Sequence, residues 1–246
     1  MQRKDSRMKA WFHLLTVWLL LCALTVPIQA DLREPSFSKE TEDALSGVLF
    51  FGESTTAHLA RAGGILDSDA HREKVLRDES GTRCLDMRIL SSPVLYGGEK
   101  CSVADAIERA QPRVLVLSFG LNGISRWSRD NEAFLRNYRA LIEGALERSP
   151  HTHILLQSIY PVGENTVFSS PVAQVNQQIG TLNQMIQALA DEYENVGYVN
   201  TSLLLTDANG TLNTAYDHGD GIHLTNAAYR ILLSALCEHI QKTELP

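Results

Sequence analysis

Three short stretches of the sequence carry side chains that together could attack an ester carbonyl. Ser54 follows a glycine and a glutamate at the end of an apolar run, and His223 closes an Asp-x-x-His pattern that begins at Asp220. A serine hydroxyl becomes an effective nucleophile when an imidazole accepts its proton, and a carboxylate fixes the tautomer of that imidazole. These residue types predict Ser54 as the nucleophile, His223 as the general base and Asp220 as the residue that orients His223.

The third stretch supplies a candidate for the oxyanion hole. Asn122 lies in a Gly-Leu-Asn-Gly sequence directly after another apolar run. A side-chain amide at such a place can donate to the developing oxyanion, and the Ser54 N–H at a helix N-terminus can do the same. Each stretch alone also has an ordinary explanation, since serine often caps a helix and asparagine often occupies a turn. His58, one helical turn after Ser54, is predicted to lie at the surface or to line the pocket.

Apolar runs that alternate with helical periodicity predict the scaffold for these side chains. Strands are predicted at residues 48–51, 113–117, 153–156, 196–199 and 83–90. Helices are predicted at residues 103–110, 131–148, 174–193 and 226–239, the last with Asn226 as its N-cap. Continuous apolar strands between helices are typical of a parallel sheet covered on both faces. Ligands bind beyond the carboxyl ends of such strands, where all three stretches fall.

The order of the three stretches resembles that of the SGNH, or GDSL-type, hydrolases. The corresponding blocks read Gly52-Glu53-Ser54, Gly120-Leu121-Asn122-Gly123 and Asp220-Gly221-Ile222-His223. The resemblance covers residues 48–239. It implies an α/β fold, a three-layer α/β/α sandwich with a mostly parallel, flavodoxin-like five-stranded sheet. It also implies serine esterase chemistry without a metal or an organic cofactor.

The sequence departs from that family in three places. Glu53 replaces the family's aspartate beside the nucleophile, and Gly123 replaces the aspartate that follows the oxyanion asparagine. The family's second block is a glycine whose N–H completes the oxyanion hole. Gly81, Gly97 and Gly98 are all candidates for that glycine, and the sequence does not choose among them.

The first thirty residues have the layout of a secretory signal peptide. A basic start precedes an apolar run over residues 11–26, and a small residue, Ala30, follows Pro27. The apolar run is short for a membrane span. We therefore expect a signal peptide at residues 1–30, a polar leader at 31–46 and a hydrolase domain at 47–246. The expected location is secreted or extracytoplasmic, with the cell surface included, and membrane attachment only if the segment stays uncleaved.

Composition excludes several other classes of partner. Hydrophobic residues make up 44% of the chain and charged residues 21%, as in ordinary folded domains. Loss of residues 1–30, with four basic side chains and one acidic one, changes the formal charge from −7 to −10. Such acidity disfavours nucleic acid and anionic lipid as partners. The cysteines left after processing are Cys84, Cys101 and Cys237, which leaves open one disulfide plus a free thiol, and no motif indicates a metal site.

These observations predict hydrolysis of small acyl esters through an acyl-enzyme on Ser54. The family resemblance implies O-acetyl groups on carbohydrates as a substrate class. An acyltransferase or a thioesterase would use the same side chains, so the identity of the acceptor stays open. A different class of function, a catalytically silent carbohydrate-binding or cell-surface interaction module, is suggested by the altered first and third blocks and the unassigned second one.

Overall fold

A five-stranded parallel sheet forms the centre of the molecule. The computed structural model describes residues 37–78 and 83–243, so the predicted signal peptide, residues 31–36 of the predicted leader and Gly81 lie outside the described residues. The strands are β1 (Val48–Gly52), β2 (Val75–Leu76), β3 (Pro93–Tyr96), β4 (Glu99–Ser102), β5 (Val114–Ser118), β6 (His153–Gln157) and β7 (Val196–Val199). The sheet has the order β2-β1-β5-β6-β7, while β3 and β4 form a separate antiparallel hairpin. That order is flavodoxin-like and confirms the predicted sheet.

Helices cover both faces of the sheet, which is why its strands are continuous apolar runs. The helices are α1 (Lys39–Leu45), α2 (Ser54–Ala57), α3 (Val103–Ala110), α4 (Ile124–Trp127), α5 (Asn131–Arg148), α6 (Val172–Ala190) and α7 (Asn226–Lys242). Leu49 and Phe51 of β1 point into a core shared with α3, α5 and α6. Phe50, between them, faces Tyr229 and the leucines of α7. This alternation confirms the three-layer α/β/α prediction.

One predicted strand and one predicted N-cap residue are wrong. Residues 83–90 do not form a strand, and β2 takes the position beside β1 instead. Met87, between the buried Leu85 and Ile89, is 64% exposed, so the segment lacks the period of two of a strand, and Ile89–Ser91 form a short 3₁₀ turn. The N-cap of α7 is Thr225, whose hydroxyl accepts from the Ala228 N–H at 3.3 Å, and Asn226 is the first helical residue.

The end of the predicted polar leader is a helix. Helix α1 packs against α7, and its Leu45 is fully buried. The Gln241 side chain of α7 also donates to the Glu40 carbonyl of α1 at 3.0 Å. Residues 39–45 therefore pack as part of the folded unit that begins at Lys39.

The remaining sequence features concern cysteines, metals and membrane spans. Cys84, Cys101 and Cys237 are free thiols, so these three form no disulfide with one another. Across residues 37–78 and 83–243, no cluster of three or more His, Cys, Asp or Glu side chains is arranged to hold a metal ion. Within the same ranges, none of the helices combines the length and the apolar character of a membrane span.

Candidate active site

The turn between β1 and α2 presents Ser54 at the carboxyl edge of the sheet. Ser54 is the first residue of α2, while Glu53 holds the N-cap position, so Ser54 is not the helix cap that its surroundings also allowed. The turn requires glycine at position 52. A Cβ there would lie 2.5 Å from the Ser118 carbonyl oxygen and 2.2 Å from Thr56 Oγ1. The local geometry therefore leaves the Ser54 hydroxyl free for chemistry.

Ser54, His223 and Asp220 form one continuous chain of hydrogen-bonded side chains. Ser54 Oγ lies 3.1 Å from His223 Nε2, although the two residues are 169 positions apart. On the other side of the ring, Asp220 Oδ2 lies 2.6 Å from His223 Nδ1. The predicted nucleophile, base and orienting acid are thus brought together in the expected order. With the Nδ1 proton held by Asp220, Nε2 can accept the Ser54 proton.

The loop that carries Asp220 is fixed by glycines and backbone hydrogen bonds. Gly221 adopts φ +70°, and a Cβ on it would lie 2.6 Å from the Thr166 backbone nitrogen. Asp220 Oδ1 accepts from the N–H groups of Ile222 at 3.0 Å and of His223 at 2.8 Å. Burial by itself would raise the pKa of Asp220, but the hydrogen bonds from His223 and Ile222 outweigh it and lower the pKa to about 2. The carboxylate is therefore charged at neutral pH and can stabilise a protonated His223.

Asn122, the predicted oxyanion donor, is held from several sides. Its carbonyl accepts from Trp127 Nε1 at 3.0 Å and from Cys84 Sγ at 3.3 Å. Its side-chain Nδ2 donates to the Arg83 carbonyl. An amide nitrogen carries two hydrogens, so one N–H remains for a ligand. The side chain is half-buried, which leaves it accessible from the edge of the sheet.

Glu53 has a role that the sequence analysis missed. The oxygens of its buried carboxyl group accept from the N–H groups of Gly120 at 2.9 Å, Leu121 at 3.1 Å and Asn122 at 2.9 Å. Burial raises the pKa of Glu53 to about 8, and the three N–H donors oppose that rise. The residue beside the nucleophile thereby fixes the backbone that carries Asn122. The available signal was an acid adjoining Ser54 together with a glycine-containing loop whose N–H groups needed an acceptor.

His58 lies against His223. The sequence predicted only that His58 would lie at the surface or line the pocket. The two imidazole rings are 4.5 Å apart between centroids and inclined by 32°. Arg61 Nη1 lies 3.4 Å from His58 Nδ1. Burial, and then the nearby His223 and Arg61, lower the pKa of His58 to about 4. A neutral His58 therefore packs on the ring of the expected base, on the side of α2.

The glycine of the second block remains unassigned. Gly97 and Gly98 form the two-residue turn between β3 and β4, with φ values of +60° and +75°. A tight hairpin turn of this kind requires positive φ at both positions, which accounts for both glycines. The third candidate, Gly81, lies outside the described residues. The third donor of the oxyanion hole thus stays a prediction.

A hydrogen-bonded Ser-His-Asp chain thus lies at the carboxyl edge of a flavodoxin-like sheet. The model of the GDSL-like lipase/acylhydrolase family matches residues 50–231. The chain belongs to this family. The match includes Ser54, Asn122 and the Asp220–His223 loop, and it confirms the family resemblance noted from the sequence. No curated protein matches the chain.

Solved structures share the fold of this GDSL family member. A protein from Streptococcus pneumonia, provisionally named a platelet activating factor, is 25% identical, with 94% of this chain and 99% of that chain covered and a TM-score of 0.57. A GDSL-like lipase from Bacteroides thetaiotaomicron is 18% identical, with coverages of 85% and 100% and a TM-score of 0.55. A catalytic mutant of an acetylxylan esterase from Geobacillus stearothermophilus is 18% identical, with coverages of 78% and 93% and a TM-score of 0.51.

Proposed function

We propose that this GDSL family member hydrolyses small acyl esters through an acyl-enzyme on Ser54. The observation that carries the proposal is the 3.1 Å contact between Ser54 Oγ and His223 Nε2, with Asp220 on the far side of the ring. His223 takes the hydroxyl proton as Oγ bonds to the carbonyl carbon. The tetrahedral intermediate then expels the alcohol, which receives that proton from His223. Water attacks the acyl-enzyme in the same way and releases the acid.

The oxyanion would be bound by the Ser54 N–H and the remaining N–H of the Asn122 side chain. The Ser54 N–H is the first amide of α2, and helix geometry leaves such amides without an intrahelical acceptor. Contacts to Arg83 and Trp127 restrict the position of Asn122 before substrate arrives. Donors held in place in this way stabilise charge without having to reorganise during the reaction.

We propose that the substrates are acetyl esters on carbohydrates and that the enzyme acts on them after export. The distant neighbours that are named acetylxylan esterases suggest this class, although at 18% identity they share the fold alone. The same side chains would serve an acyltransferase or a thioesterase. The intact chain from Ser54 to Asp220 favours an enzyme over a silent binding module, because a binding module has no need of a base aligned with a serine hydroxyl.

Replacement of the nucleophile tests the proposal. Ser54→Ala should reduce turnover of p-nitrophenyl acetate by about a thousandfold or more, since no hydroxyl remains to form the acyl-enzyme. The matched control is Ser91→Ala, which removes an exposed hydroxyl outside the site and should leave turnover at the native level. Native turnover by a folded Ser54→Ala protein would exclude this mechanism.

A further inference from the structure

A polar cleft opens between α4 and α6, next to the segment that carries Asn122. Helix α4 begins at Ile124, two residues after Asn122, and supplies one wall of the cleft. The first half of α6 supplies the other wall. The cavity has a volume of about 370 Å³, which is within the range of sites that bind small molecules. Its polar lining includes Ser125, Gln174, Gln177 and Gln178.

The chemistry of the lining selects for neutral, hydroxyl-rich ligands. Seven of the nine lining residues are Ser, Thr or Gln, and none is charged. Their hydroxyl and amide groups can both donate and accept, as the hydroxyl groups of a sugar do. The two aliphatic members, Ile124 and Val175, are buried beneath them. A phosphate or carboxylate ligand would instead favour Arg or Lys in the walls.

Most of these polar groups are available to a ligand. Within the described part of the chain, the side chains of Ser125, Gln174 and Gln177 form no hydrogen bond to protein. The Gln178 amide donates to Asn131 Oδ1 at 3.2 Å, which restricts its orientation. The cleft therefore combines one oriented amide with several unengaged donors and acceptors.

The cleft also lies on the side of the sheet where Ser54 is found. Helix α4 follows the carboxyl end of β5, and α6 follows the loop that leaves the carboxyl end of β6. Ile124, which lines the cleft, follows the expected oxyanion donor Asn122 by two residues. We propose that the cleft binds the carbohydrate part of an O-acetylated glycan while its acetyl group reaches Ser54. This inference rests on the proposed function and adds a subsite to it.

Paired variants on one helix test the subsite. Gln174→Ala combined with Gln177→Ala removes two amides from the cleft, and both positions are exposed, so alanine is well tolerated in the helix. Gln184→Ala combined with Gln187→Ala removes two exposed amides of α6 outside the cleft and is the matched control. Each protein is assayed with p-nitrophenyl acetate and with O-acetylated xylo-, manno- and cello-oligosaccharides.

We expect the cleft pair to lower kcat/KM for the oligosaccharides, relative to that for p-nitrophenyl acetate, by about tenfold through KM, as expected for two lost hydrogen bonds. The control pair should leave this ratio at the native value. If the cleft pair also leaves this ratio unchanged for every oligosaccharide, the subsite is wrong and the proposed function survives. If the wild type hydrolyses only p-nitrophenyl acetate, the subsite and the proposed carbohydrate substrate are both wrong, and only the esterase mechanism on Ser54 survives.

Calorimetric binding of the same oligosaccharides separates the two proposals. On the Ser54→Ala background, the cleft pair should weaken binding about tenfold and the control pair should not. If the wild type hydrolyses neither class of ester but binds the sugars in a manner that the cleft pair weakens, the proposed function is wrong and the subsite stands. Absence of both hydrolysis and sugar binding would overturn both.

Discussion

Glu53 shows how a residue that does not react can determine the geometry of the site. Its carboxyl group joins the start of α2 to three consecutive N–H groups that lie 67 to 69 residues further along the chain. A contact of that separation cannot be read from spacing, and in the sequence Glu53 is recognisable only as an acid in place of the family's aspartate. The catalytic side chains were easier to predict, because Ser54 and the Asp220–His223 pair have types whose chemistry is specific.

Shortening the Glu53 side chain, or replacing its carboxyl group with an amide, should therefore slow the chemical step. In Glu53→Gln an NH₂ group replaces an oxygen that accepts backbone N–H groups, so the loop that carries Asn122 must shift. We expect kcat for p-nitrophenyl acetate to fall about tenfold to a hundredfold, less than for loss of a whole oxyanion donor, with KM less affected. Glu53→Asp keeps the carboxyl group and should recover part of the rate.

Thermal melting of each Glu53 variant distinguishes positioning from a general loss of structure. If both variants retain the native kcat, Glu53 has no positioning role. If Glu53→Asp is as slow as Glu53→Gln while both melt at the native temperature, the length of the side chain, and not the carboxyl group alone, decides the position of the loop.

His58 should make the protein less stable in mild acid. Its pKa is lowered from 6.5 to about 4 by burial and by the nearby His223, Arg61 and His218, with Asp220 acting in the opposite direction. Between these pH values the unfolded chain binds a proton at His58 that the folded protein excludes, so stability falls as the pH falls. Melting curves from pH 7.5 to 4.0 should show a smaller loss of stability in His58→Gln than in the wild type. Parallel pH profiles for the two proteins would contradict this assignment.

Among the elements, four strands were predicted correctly; three of them are buried on both faces, whereas the middle of β7 is only partly buried. Strands β1, β5 and β6 are continuous apolar runs because helices cover both sides, and such runs stand out in a sequence. Strand β2 has two residues, too few to produce a pattern, and pairs only at the edge of the sheet. The hairpin β3–β4 was not predicted either, since its pairing depends on the turn between its strands and not on a run of buried residues.

Gly52, at the end of β1, is crowded by β5 and α2, whereas Gly180 in α6 has open space around it. Alanine at each position therefore tests how tight the turn after β1 is. In Gly52→Ala the new Cβ would overlap the Ser118 carbonyl, and we expect a loss of about 1–3 kcal/mol in the free energy of unfolding. Gly180 lies inside α6 with no atom within 4 Å of an added Cβ. Gly180→Ala should gain about 0.5–1 kcal/mol, because alanine favours the helix. Urea denaturation measures both, and a Gly52→Ala protein as stable as the wild type would exclude the tight turn.

For the whole molecule, the prediction that stays outside the described residues is export. When the full chain is expressed in a secreting host, N-terminal sequencing should find a mature protein that begins at Asp31, because residues 1–30 have the layout of a cleaved signal. Introducing arginine in the apolar run, as Leu19→Arg with Leu20→Arg, should keep the protein inside the cell. Recovery of the uncleaved chain in the membrane fraction would show an N-terminal anchor instead.

We expect His223 to activate Ser54 as the nucleophile. Labelling of the native protein with a fluorophosphonate, followed by peptide mass mapping, tests it most directly, since the reagent bonds to an activated serine. We predict one adduct, on Ser54, that forms far more slowly in His223→Ala and not at all in Ser54→Ala. An adduct on a different serine would show that Ser54 is not the nucleophile, and unchanged labelling of Ser54 in His223→Ala would show that His223 does not activate it.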